Sequence, residues 1–182
     1  VGLTTTGNTT LSSAGTVTQS QKVAASGLEL LGSGTFTLTN TGSANAITTL
    51  AANAGVVSFT QGTAYTVGSV NSVGITTTGN LALVGSAGMT IGSNISTGAG
   101  TQTYTGPIIL STGAITLTST DAAIVFSGST TTINGARDLT INSGTARITF
   151  GGTVGQSTAI SSLTLQGTGD NYLPSAITAT GN

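Results

Sequence analysis

The chain contains no cysteine, no histidine and no tryptophan. Without cysteine it has no disulfide framework and no thiolate metal site. Without histidine it loses the commonest general base and the commonest metal ligand together. Charge is nearly missing too: charged residues are 4% of the 182 and the formal net charge is −1, where an ordinary domain carries about 25% charged residues. Nothing in that balance steers the protein toward nucleic acid or an anionic membrane. No apolar run approaches the ~18 residues of a membrane span. The chain opens at Val1 with neither an initiator methionine nor a basic-then-apolar leader, and so reads as a processed or excised piece. Disorder goes with low hydrophobicity and high net charge, whereas the mean hydropathy here is +0.34.

What is present specifies strand and turn. Threonine is β-branched and suits a pleated surface, while the 28 glycines and the asparagines suit tight bends. Apolar residues alternate with polar ones in Thr35–Thr39, Ala114–Thr118, Leu139–Ile141 and Ala146–Phe150. That period of two is the mark of a strand with one face in a core. Gly32-Ser33-Gly34, Gly98-Ala99-Gly100, Asn134-Gly135 and Gly151-Gly152 read as bends between strands. Gln21–Leu31 has some helical flavour but is interrupted by Gly27, and reads as a further strand pair or a loop.

One phrase recurs. Val1-Gly2-Leu3-Thr4-Thr5-Thr6-Gly7-Asn8 returns as Val73-Gly74-Ile75-Thr76-Thr77-Thr78-Gly79-Asn80, and Ala176-Ile177-Thr178-Ala179-Thr180-Gly181-Asn182 closes the chain. The offsets of 72 and 102 residues are unequal, which argues against a fixed-length blade and for an array that adds whole coils between markers. The expectation is therefore an all-β, parallel β-helix (β-solenoid) of about eight to ten coils, one continuous segment over residues 1–182 and part of a longer array. At the ~4.8 Å strand spacing it would be a rod of roughly 40–50 Å. An antiparallel sandwich competes, but its hairpin signals are sparse: only Asn134-Gly135 qualifies.

The stretch Leu30–Asn80, with Leu30–Gly42, Thr49-Leu50-Ala51-Ala52-Asn53 and Thr66–Asn71, resembles the repeats of filamentous-haemagglutinin-like exoproteins. Thr101–Pro107, Ala136–Ile141 and Phe150–Gly155 resemble the same repeats. The resemblance implies a right-handed parallel β-helix in a large bacterial protein exported to the cell surface, serving as an adhesin or surface filament. The expected partners are neighbouring repeats of the same fibre, self-association end to end or side by side, and host or matrix glycans. No nucleic acid and no membrane insertion are expected.

Chemistry has few candidate parts. The charged residues are Lys22, Glu29, Asp121, Arg137, Asp138, Arg147 and Asp170. Glycosidase chemistry needs two facing carboxylates; Asp121 and Asp138, close to one coil apart, are the candidates, with solvated turn residues as the plainer reading. Arg137 and Asp138 read as a local surface ion pair. Serine and threonine are abundant but no base accompanies them, and Gly169-Asp170-Asn171 alone is a turn rather than a calcium loop. The pairs Thr35/Thr37, Thr101/Thr103, Thr116/Thr118 and Thr178/Thr180 raise ice binding, but an ice face needs one pair on consecutive coils. The phenylalanines Phe36, Phe59, Phe126 and Phe150 read as core; Tyr65, Tyr104 and Tyr172 read as packing or sugar platforms. Asn8, Asn80 and Asn182 read as residues of positive-φ bends, stacked along the rod. Asn8-Thr9-Thr10 and Asn94-Ile95-Ser96 match glycosylation sequons. The expectation is a structural or adhesive segment rather than an enzyme, with no catalytic, cofactor or metal residues; a carbohydrate-binding or carbohydrate-active β-helix module is the alternative, and ice binding a lesser one.

Overall fold

The computed structural model describes residues 2–72 and 74–181. Among them there is no helix, and 18 strands form a single wound sheet in which every strand pairing is parallel. The architecture is a β-solenoid of about seven turns. The eight to ten coils expected are thus only an approximate count; beyond Ser162–Gln166 the ladder continues as isolated bridges at Tyr172, Ile177 and Ala179. The coils are uneven: Val17 pairs with Phe36, 19 residues on, and Ile108 with Ile133, 25 residues on.

From the fourth coil each turn has three faces. The first face is built by Tyr65–Val67, Met89–Ile91, Ile108–Leu110 and Ile133–Asn134. The second is Ile75–Thr77, Ile95–Thr97, Ile115–Ser119, Asp138–Asn142 and Ser162–Gln166. The third is Leu81–Gly85, Gln102–Thr105, Ile124–Phe126 and Ile148–Phe150. Lower down, Val23–Leu38 and Ala46–Gln61 each run through all three faces as one long bent strand. Gln21–Leu31 thus lies mostly within a strand: Gly27 sits in register between Asn8 and Thr49 without breaking it.

Alternation fills the core. On the second face Leu30, Ala52, Ile75, Ile95, Leu117 and Ile141 lie one above another, all pointing inward and buried. On the third face the column runs Leu38, Phe59, Leu83, Tyr104, Phe126, Phe150. Its last three rings stack with centroids 5.2 and 5.0 Å apart, the offset geometry that parallel in-register strands impose on like side chains. The four phenylalanines are core, and so are Tyr65 and Tyr104. Burial pushes both phenols above their ordinary range. The Tyr104 hydroxyl donates to Gln102 Oε1 at 2.6 Å, and Gln102 Nε2 donates to the Thr118 carbonyl at 2.6 Å. This lets a fully buried glutamine stand in an aliphatic column.

The recurring phrase does not mark one position round the coil. Leu3 pairs with Val23, whereas Ile75 stands over Ala52, Leu30 and Leu11. The 72-residue offset is therefore not a whole number of coils; the phrase is a strand-and-bend unit used at more than one place. Val1, Val73 and Asn182 lie outside the described residues.

The corner between the second and third faces is made of glycine. Gly34, Gly55 and Gly100 each sit so close to the coil below that an added Cβ would fall on a backbone atom: Gly15 O under Gly34, Ser33 O under Gly55, and the Gly79 carbonyl under Gly100. Any side chain there would push two coils apart. Gly100→Ala should cost about 2–4 kcal/mol, whereas Gly62→Ala, whose Cβ meets nothing within 4 Å, should stay within about 0.5 kcal/mol of the native protein. Urea denaturation of the two variants checks the contrast.

Candidate functional site

The charged side chains do not converge. Asp138 begins a second-face strand, in register with Ser162, whose hydroxyl donates to its Oδ1 at 2.6 Å. Asp121 lies past the other end of that face on the preceding coil, in the turn after Ile115–Ser119. It is the one non-glycine residue of positive φ among those described, at 56°. Its Oδ1 accepts from the Thr145 N–H at 2.8 Å. The strand length between them sets the two carboxylates roughly 15–20 Å apart. A glycosidase pair stands about 5–10 Å apart. The structure keeps them separate, each tied to its neighbouring coil. Nor do Arg137 and Asp138 form the expected ion pair: the guanidinium donates to the Ser111 and Ala136 carbonyls instead. Among the described residues no group of three metal-ligating side chains gathers, and five surface clefts contain no carboxylate.

The one charge that the coil encloses is Glu29. It points outward from the second face, yet only 3% of it is exposed, because Gly68–Ser72 folds back across that face. Val70 lies against Gly27. Asn71 Nδ2 and Thr10 Oγ1 donate to Glu29 Oε2 at 2.9 and 2.8 Å, and the Ser72 N–H donates to Oε1 at 2.8 Å. The Asn71 amide chiefly, and Thr10 and Ser72 with it, holds the carboxyl below its ordinary value of 4.5, against the opposing push of burial. Nothing in the local sequence signals this: the covering segment comes from 42 residues away. The site is a fastening for a surface loop, with three donors supplied to the carboxylate.

Asparagine acts between coils rather than at positive-φ bends. Neither Asn8 nor Asn80 has a positive φ. The Oδ1 atoms of Asn80, Asn94 and Asn134 accept N–H donors of Thr101, Thr116 and Ser157 on the next coil, at 3.0, 2.9 and 2.9 Å. These are corner staples, and Asp121 is a fourth. A second polar column lies inside the corner that ends the second face: Thr77, Thr97, Ser119 and Ser143 are buried. Thr77, Thr97 and Ser143 donate to the turn carbonyls of Gly79, Gly100 and Ala146, discharging groups that a tight bend would otherwise leave unpaired. Tyr172 is the exposed tyrosine, and Arg147 already lies over its ring at 4.6 Å.

No family model, curated protein or solved structure matches this chain.

Because Glu29 titrates lower in the folded than in the unfolded chain, its contribution is fully present above about pH 4.5 and is lost as pH falls through the folded value. Glu29→Ala should cost about 2 kcal/mol at pH 7 by stranding three donors. Glu29→Gln should flatten the acid limb of the stability curve. Chemical denaturation from pH 7 to pH 2.5 reads both effects.

Proposed function

We propose that the chain is a rigid, structural or adhesive segment of an exported bacterial surface fibre of the filamentous-haemagglutinin-like kind. The observation that carries this reading is the unbroken parallel ladder: coil stacks on coil, and the outside is almost entirely hydroxyl, amide and small apolar groups. A rod of this kind spans distance with little sequence, about 4.8 Å per coil. It resists extension because parting two coils breaks a whole row of backbone hydrogen bonds at once. Its near-neutral surface admits uncharged partners, either neighbouring lengths of the fibre or matrix and host glycans, without charge repulsion. The separation of Asp121 from Asp138 favours this reading over a carbohydrate-active enzyme.

Antibody raised against the chain should label intact, unpermeabilised cells of the producing organism, with gold particles strung along filaments in negative stain. Labelling confined to the cell interior would contradict the proposal. So would steady turnover of a polysaccharide that is lost on Asp138→Ala.

A further inference from the structure

The third face carries an outer surface unlike the other two. The second face is crossed by the Gly68–Ser72 segment and carries Asp138 and several amides, and the first is narrow and bears one exposed apolar side chain, Ile109. Register on the third face places Thr37, Ser58, Ala82, Thr103, Val125 and Thr149 in one outward column. A flanking column two residues along holds Thr39, Thr60, Val84 and Thr105; on the other side stand Thr16, Thr35, Val56 and Asn80. From the first coil to the sixth this surface bears no charge; Arg147 is the first, in the seventh. Its residues are small, most of them β-branched, and half-buried or exposed rather than covered. No side chain among them is longer than asparagine before Arg147, so the surface is flat.

We infer that this third face is a side-by-side docking surface for a second copy of the same chain. A flat sheet of threonine, valine, alanine and serine packs on another at about 10 Å, as facing sheets do. Like charges brought face to face oppose docking, and from the first coil to the sixth this face carries none to repel its twin. Two-fold pairing near the middle of the face sets Ala82 near the axis and brings valine and threonine rows of the two copies together, with threonine hydroxyls bonding across the seam or through water. The extent of the face decides the strength. At strand spacing it is roughly 30 Å tall and 15 Å wide, about 900 Å² for the pair. That falls below the ~1,200–2,000 Å² of a stable complex. One segment therefore pairs weakly and reversibly, and pairing strengthens in proportion to the number of coils laid side by side. The inference deepens the reading of the chain as a fibre segment by naming how fibres bundle. It stands on this face alone, so its failure would leave surface display, tested separately by labelling, untouched.

The test is sedimentation equilibrium of the intact chain from about 10 μM to 1 mM, beside the variants Ser58→Lys/Thr103→Lys on the third face and Ser96→Lys on the second. All three substituted residues point outward, so each variant should keep the β-rich circular dichroism and melting temperature of the parent. The expected result is a weight-average mass that climbs toward dimer in the parent and in Ser96→Lys, with at least a tenfold weaker association in the double variant. A parent that stays monomeric at 1 mM would overturn the inference, as would association that persists unchanged in the double variant. Thermal hysteresis by a monomeric parent, lost in the double variant, would also overturn it, because the face would then serve ice and not a second copy.

Discussion

The interaction on which the rest depends is the parallel backbone ladder from one coil to the next. It fixes the vertical spacing at about 4.8 Å and forces residues in register to stack directly. Each inward side chain must then pack directly on those above and below it in its column, and each corner must close within one coil's height. The aromatic stack Tyr104–Phe126–Phe150 meets the first condition, and the run of close-approach glycines at Gly34, Gly55 and Gly100 meets the second. The polar core residues obey the same constraint. Gln102, Thr77, Thr97, Ser119 and Ser143 are tolerated inside because each bonds to backbone or to a neighbouring polar side chain within reach.

The strands were legible because alternation is a local property. Thr35–Thr39 and Ala146–Phe150 announce their inward residues two at a time, and the phenylalanines among them are buried where the pattern puts them. Position round the coil was not legible. The phrase shared by Leu3–Asn8 and Ile75–Asn80 encodes a strand followed by a bend, and a bend of that kind serves more than one corner. Its azimuth depends on how many residues intervene, and coils of 17 to 25 residues leave that count undetermined from sequence.

The polar side chains were the least legible, for a physical reason. Asn80, Asn94 and Asn134 do their work on partners more than 20 residues away, and Glu29 is enclosed by a segment 42 residues downstream. An asparagine beside glycine looks the same in sequence whether it accepts from its own turn or from the coil above. The charged residues show a related pattern. In sequence Asp121, Asp138 and Arg137 look like catalytic candidates or a pair, and each is instead bound to a backbone or hydroxyl group of a neighbouring segment. In a chain this poor in charge, Glu29, Asp121, Arg137 and Asp138 serve to pin coils and loops.

In-register stacking of the coils underlies the core columns, the corners and the flat outer faces alike, and spin labels measure it most directly. The native chain has no cysteine, so pairs of labelled cysteines can be introduced without background. One label at Thr37 and a second in turn at Thr103, Val125 and Thr149 follow a single outward column. The mean distance should rise linearly, by about 4.8 Å with each added coil. Distances that fail to rise in that order, or that fold back toward shorter values as a closed sandwich would give, would contradict it.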